Sequence, residues 1–383
     1  MTLNALKAAQ ILIVAHHFPP HISGVGNVAQ KQASSLAKKG FDVTVLSSDC
    51  SSRPGLENNI NGYKVYRVRA SNALETKLGA PFPLFSPSLV WRTYVSVKHA
   101  DLVHIHDTTY ISSLFTALFA RLLRKPLFLT QHVTIVQHDN KLAMAAQKLI
   151  YATSAKFIFN ISEKIVVYNL NVKNFLIDHG VQESKILQNY NGIDTVFFSP
   201  AKKTEKEALR LKYDIPLEKP VVLFVGRLVP KKGFDLVFGA KSNNYTTLLV
   251  GNGNVPEHMS KSKDVIFFGP ATQEQLADLY RLSDVFVCPT EGEVFTLVMQ
   301  EAMSCGLPVI ATDDSGYSHY DLNRELLNLI ARNTQALRQS IEELLSSDKK
   351  YLAMSKYSRS YSLENFSWQH NYAKEFSIYK DRL

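Results

Sequence analysis

The sequence is short of the features that would tie a chain to a membrane span, a metal or an oxidising compartment. Its 383 residues include only three cysteines, Cys50, Cys288 and Cys305, at no metal-ligand spacing. That predicts buried thiols in a reducing compartment, not a disulfide framework. No run reaches the roughly 18 uncharged apolar residues of a spanning helix; the best, "ISSLFTALFARLLRKPLFLT", is broken by Arg121, Arg124 and Lys125. "MTLNALKAAQILIVAHH" lacks the basic-apolar-small order of a secretion signal and runs straight into a strand. There is no low-complexity tract. Acidic residues are scarce in one half only: residues 1–195 carry 20 Lys and Arg against 11 Asp and Glu, and the remainder 23 of each. These absences predict a cytoplasmic two-domain globular protein. The basic half is either a solvated surface or the seat of an anionic partner, such as lipid head groups or a lipid-phosphate acceptor. No nucleic acid is expected, since no binding motif or aromatic-basic interleaving accompanies the charge.

What is present is a repeated alternation of strands and helices. "ILIVAHH" reads as a strand, "GNVAQKQASSLAKKG" as a helix stopped by Gly40, and "FDVTVLSS" and "GYKVYRVRA" as strands. "NALETKLGAPFPLFSPSLVW" reads as a loop rich in proline and aromatics. "ADLVHIHD", the helix "SSLFTALFARLLRK" and "PLFLTQH" follow. The pattern restarts at "VVLFVGR" and continues through "TTLLVGNG", "DVIFFG", "DVFVCPT" and "LPVIATD", with helices such as "TQEQLADLYRLS" between. This predicts two doubly wound parallel sheets, 1–195 and 196–363, with ligands at the carboxyl ends of the strands and a site between the halves. The tail, about 364–383, reads as an amphipathic helix that packs back on the first domain.

"GVGNVA", Gly24 to Ala29, spells G-x-G-x-x-A, and Asp49 ends the next strand, which by the letter is a dinucleotide fingerprint. Such a loop turns directly from strand into helix, whereas His16 to Ser23 intervene here. The segment is therefore expected to be a flexible backbone lid rather than a nicotinamide cradle.

The most informative segment is "DVFVCPTEGEVFTLVMQEAMSCGLPVIATD". A strand ends at Thr290, an acidic loop follows, then a helix closed by Gly306. Backbone amides of Val294, Phe295, Thr296 and Leu297 are expected to point out of the helix start, a site for phosphate oxygens. Glu293 just before such a site would repel phosphate, so it is better placed to accept hydrogen bonds from sugar hydroxyls; Glu301 could reach a ribose. A lone glutamate there is ordinarily only a favourable N-terminal helix anion.

Set together, "EVFTLVMQEAMSCGLPVIA" (Glu293–Ala311), "FVGRLVPKKGFD", "NGID", "LVGNG", "ADLVHIHD" and the terminal "FSW" resemble the retaining GT-B glycosyltransferases of family 4. The resemblance spans nearly the whole chain in order. It implies an α/β fold of two facing Rossmann-like domains with a cleft between them. It also implies transfer of a hexose-type sugar from a UDP- or GDP-sugar to a saccharide or lipid-linked acceptor, with an α-linkage. Arg227 and Lys232 would stabilise the departing diphosphate without a metal, and no cofactor is implied. Glu293 and His106 would serve catalysis. Gly24, Gly251, Gly253, Phe295, Thr296, Leu297 and Glu301 would join Arg227, Lys232 and Glu293 in holding the donor. His17 and His132 are candidates for the acceptor side, and His104 ranks below His106 because it lies deeper in the same strand. Asp313-Asp314 is implied to lie near the donor rather than at a metal. Bacterial surface-polysaccharide or lipopolysaccharide assembly, with peripheral docking on anionic lipid, fits the basic first half. A catalytically dead scaffold of the same fold, or a transferase with a small soluble acceptor, remain alternatives.

Overall fold

The computed structural model describes residues 9–21, 23–49, 55–58, 61–71, 84–135, 141–190, 192–255, 257–260, 262, 264–293 and 295–383. Cys50, Asn191, Val294 and much of the proline-aromatic loop at 78–87 lie outside them. The chain forms two compact units, Met1–Asn191 with Asn371–Leu383, and Gly192–His370.

In the first unit the strands are β1 (Gln10–Ala15), β2 (Asp42–Asp49), β3 (Gly55–Asn58), β4 (Lys64–Ser71), β5 (Leu84–Phe85), β6 (Leu102–His106), β7 (Leu127–Gln131), β8 (Lys164–Val167) and β9 (Ile186–Gln188). Among the described residues they make one sheet in the order β3-β4-β2-β1-β6-β7-β8-β9, with β5 against β4. All neighbours are parallel except β3 and β5, each antiparallel to β4. In β1, "ILIVA" is at most 1% exposed, as a central parallel strand covered on both faces requires. The expected loop ending in "SPSLVW" is a helix from Ser88 onward, Ser88–His99, started at a proline.

The second unit holds β10 (Val221–Val225), β11 (Thr246–Val250), β12 (Val265–Gly269), β13 (Val285–Cys288), β14 (Val309–Thr312) and β15 (Asn328–Ile330). Their order is β12-β11-β10-β13-β14-β15, all parallel. In both sheets the order reverses once, between β1 and β6 and between β10 and β13. The loops that leave the carboxyl ends of those strands diverge there, and open α/β sheets bind ligands at that point.

Two expected boundaries move. Gly192, Ile193 and Asp194 of the "NGID" segment join the second unit, where Ile193 bridges Ser367 and its amide donates to the Phe366 carbonyl. The tail is not one helix: Asp348–Asn365 ends, the chain breaks at Phe366-Ser367, and Trp368–Ser377 follows. Only residues from Asn371 onward lie with the first unit.

Candidate active site

At the reversal point of the second sheet the loop after β10 carries Arg227 and Lys232, and the loop after β13 carries Glu293. Lys232 Nζ lies 2.5 Å from Glu293 Oε2, joining two residues 61 positions apart. Both side chains are partly exposed, so the pair adds little to stability. What it does is place a cation and a carboxylate side by side at the surface. Three features hold it. Pro230–Lys232 is a 3₁₀ turn ended by Gly233 at φ 78°, where a Cβ would come 2.5 Å from the Pro289 carbonyl. The Glu291 amide donates to the Lys231 carbonyl at 3.1 Å. Arg332, just past β15, donates to the carbonyls of Pro289 (3.1 Å) and Pro230 (2.6 Å) and so clamps both loops together. Sequence reasoning missed Arg332, which lies outside every motif. Arg227 is exposed and has no side-chain partner among the described residues.

Gly251 and Gly253 have a packing role. Gly251, at φ 145°, would place a Cβ 1.8 Å from the Gly226 carbonyl, and at Gly253 a Cβ would meet Leu228 at 2.6 Å. Their lack of side chains lets the chain after β11 lie against the Arg227 loop, where Leu228 donates to the Asn252 carbonyl at 2.9 Å.

The helix of the glutamate segment starts later than expected, at Leu297–Ser304, with Thr296 as its cap and Thr296 Oγ1 accepting from the Met299 amide. Phe295 is therefore not at the helix start. It sits at φ 46°, 6% exposed, among Tyr317, Tyr320, Tyr361 and Phe366, and its amide is turned toward Tyr317 Oη. The amides at the open end of this helix are those of Leu297 and Val298, and Leu297 is 49% exposed. Glu301 accepts from Tyr280 Oη at 3.0 Å through one oxygen, and burial pushes its pKa up to about 7. Its other oxygen has no partner among the described residues. Asp313 pairs with Arg324, and Asp314 caps Gly316.

In the first unit, Gly24 is not part of a loose lid. It opens the helix Gly24–Lys38, capped by Ser23, whose Oγ accepts from the Gly26 amide at 2.9 Å. His16 and His17 leave β1 there; His16 stacks on Tyr110 at 4.2 Å and His17 on His21 at 4.3 Å. Burial lowers their pKa values to about 3 and about 4.

His106 does not face outward. It is fully buried, with Nε2 3.0 Å from Gln32 Oε1 and Nδ1 3.0 Å from His132 Nε2. Burial keeps it neutral. His132, stacked on His106 at 5.3 Å, is only partly buried. A direct role for His106 at the reacting atoms is thereby corrected: both of its ring nitrogens are taken up inside the protein, by Gln32 and His132. His104 is structural, bonded to Thr130 Oγ1 and Tyr379 Oη. Asp107, at φ 60°, turns its buried carboxylate onto the His132 amide at 2.8 Å. Among the described residues no group of three or more His, Cys, Asp or Glu is placed to share a metal ion.

Comparison with known proteins bears on both units. The model of Glycosyltransferase Family 4 matches residues 22–197, and that of Glycosyl transferases group 1 matches residues 205–361. A GDP-mannose-dependent alpha-mannosyltransferase of Corynebacterium glutamicum is 26% identical over 319 residues, covering 82% of this chain and 75% of that protein. The structure of HepE from Anabaena in complex with UDP superposes with a TM-score of 0.73 at 16% identity, covering 97% of this chain and 100% of its own. Sucrose-phosphate synthase from Thermosynechococcus elongatus gives a TM-score of 0.71 at 20% identity, over 97% and 98% of the two chains.

Proposed function

The chain belongs to the glycosyltransferases of family 4 and has their GT-B fold, and from that premise we propose that it moves a hexose from a UDP- or GDP-sugar to a saccharide or lipid-linked acceptor with retention, giving an α-linkage. The observation that carries this reading is the Lys232–Glu293 pair at the reversal point of the second sheet. A nucleotide sugar has its anionic diphosphate joined directly to a hydroxyl-rich ring. A cation beside a carboxylate matches that junction: Lys232 and Arg227 take the diphosphate charge that grows as the bond breaks, and Glu293 accepts from sugar hydroxyls. The open amides of Leu297 and Val298 add donors for the phosphate. Glu301, through its unpartnered oxygen, suits the ribose. With the negative charge met by side chains and amides, the reaction is proposed to need no metal. Among the described residues no nucleophilic carboxylate stands out for a double displacement, so the departing phosphate is proposed to help deprotonate the acceptor on the same face of the sugar, with His132 on the acceptor side. The relative that uses GDP-mannose and the neighbour that binds UDP support a nucleotide sugar without choosing the base.

The acceptor is proposed to be lipid-linked, in bacterial surface-polysaccharide assembly, with the enzyme docking on anionic lipid. Support comes from two helices of the first unit, Ser88–His99 and Ile111–Leu122, which touch through Tyr94 and Phe119. They expose Trp91 (62%) and Leu122 (69%) beside Arg92, Arg121 and Arg124. Co-sedimentation with anionic vesicles, released by salt, is the expected result; equal binding to neutral vesicles would contradict it.

The test of the reaction is release of UDP or GDP from a panel of nucleotide sugars, with EDTA present, over saccharide and lipid-linked acceptors. Proton NMR of the product should show an α-linkage. Glu293→Ala and Lys232→Ala should each lower turnover by about a hundredfold. Turnover within about twofold of the parent in both variants would refute the site.

A further inference from the structure

The helix Trp368–Ser377 carries Glu375 into the interior of the first unit, where it is 2% exposed and no Lys or Arg of the described residues pairs with it. Its Oε1 accepts from Tyr168 Oη (2.7 Å) and Asn189 Nδ2 (3.1 Å), and its Oε2 from Gln32 Nε2 (3.3 Å). A carboxylate held by three donors and no cation is a costly thing to bury. Burial pushes its pKa up to about 7, against those three donors. Nothing in the proposed reaction uses it directly.

Its effect follows from hydrogen-bond bookkeeping. Above that pKa the carboxylate is ionised and only accepts, so the Gln32 amide nitrogen must face it. The second hydrogen of that nitrogen goes to Tyr379 Oη at 3.2 Å. The Gln32 amide oxygen is then fixed toward His106 Nε2, 3.0 Å away, and a neutral His106 must carry its hydrogen there. His106 Nδ1 is left bare and accepts from His132 Nε2, 3.0 Å away. That puts the His132 hydrogen on Nε2 and leaves Nδ1 as its bare nitrogen, without a partner among the described residues.

We propose that Glu375, through Gln32 and His106, fixes His132 in the tautomer whose Nδ1 is a bare acceptor for a substrate hydroxyl. This rests on the acceptor-side reading of His132. Glu375, Gln32 and His106 are positioning residues; only His132 meets substrate. Asp107 fixes the His132 backbone, and the Tyr168 ring packs 5.4 Å from the imidazole, so position and tautomer are set separately. The second branch stays inside: Tyr379 Oη donates to His104 Nδ1 at 2.6 Å, and His104 Nε2 then donates to Thr130 at 2.8 Å.

The test is long-range proton–nitrogen NMR of the full chain labelled at histidine, with His132 assigned by loss of its signals in His132→Gln. The parent should show His132 with its hydrogen on Nε2. In Glu375→Gln the new amide accepts Gln32 in either orientation, so His132 should become a mixture of tautomers. Turnover should fall by about tenfold, with the KM for the nucleotide sugar nearly unchanged. Tyr372→Phe is the packing control: on the same helix, its hydroxyl donates to the Val28 carbonyl at 3.1 Å, off the chain to His132. It should leave the His132 tautomer as in the parent. An unchanged His132 spectrum in Glu375→Gln, or the same spectral change in Tyr372→Phe, overturns the proposal. Activity of His132→Ala tests the acceptor-side reading separately: undiminished turnover there would sink that reading, while the NMR result still decides the wiring.

Discussion

At the scale of single residues, the site of the second unit depends on a side chain that makes no contact with substrate in the proposed reaction. Arg332 ties the carbonyls of Pro289 and Pro230, so that Lys232 and Glu293 are presented together. Arg332→Ala should raise the KM for the nucleotide sugar by about tenfold and cost about 1–3 kcal/mol of stability, since two charge-assisted bonds are lost. Initial-rate kinetics and urea unfolding check both; an unchanged KM would show that the two loops hold themselves. Lys232 and Glu293 were legible in the sequence because each belongs to a recognisable phrase that follows a strand exit. Arg332 was not, because one arginine after a short strand has no local signature. His106 was misread for a related reason. Its place at the end of β6 is a local property, but its burial involves Gln32, 74 positions earlier, and His132, 26 positions later, which periodicity cannot reveal.

At the scale of elements, strand existence followed from buried apolar runs, and helix starts were the weak point. "SGVGN" reads as a loop because glycine is a poor helix former, yet the helix begins at Gly24. Ser23 supplies the cap, and Gly26 is needed because a Cβ there would sit 2.8 Å from both the His17 carbonyl and Ser23 Oγ. Propensity alone favours alanine over glycine in a helix by about 1 kcal/mol. The contact reverses that sign: Gly26→Ala should destabilise the protein, and Ser23→Ala should cost about 1 kcal/mol. Gly24→Ala, with nothing within 4 Å of the new Cβ, should be neutral or stabilising. Chemical denaturation of the three variants separates the cases; a stabilising Gly26→Ala would refute the packing argument. The glutamate segment has the same lesson in reverse. The phrase located its loop and helix, but the positive φ of Phe295 and its aromatic nest delay the helix by three residues.

At the scale of the whole molecule, the first unit buries an unusual set of titrating groups. His16, His17, His104, His106 and His132 all have lowered pKa values, with burial the largest cause. Asp107 and Glu375 are raised to about 7, again by burial. A histidine lowered on folding contributes stability above its unfolded pKa, lost as the pH falls. A carboxyl raised on folding contributes stability at low pH, lost as the pH rises through 7. Five histidines outweigh two carboxyls below about pH 6, where the unfolded state binds more protons. The first unit should therefore lose stability between pH 6 and 5 and change little near pH 7, as hydrogen exchange resolved by unit would report; stability rising on acidification would contradict the neutral histidine network. The central claim lies in the other unit, where Lys232 is held to receive the diphosphate of a nucleotide sugar. Titration calorimetry of the parent and Lys232→Ala with UDP- and GDP-sugars tests it most directly. The account requires that one nucleotide series bind the parent and that Lys232→Ala weaken it by about tenfold or more. Equal affinity in both proteins, or no binding of either series to the parent, would contradict it.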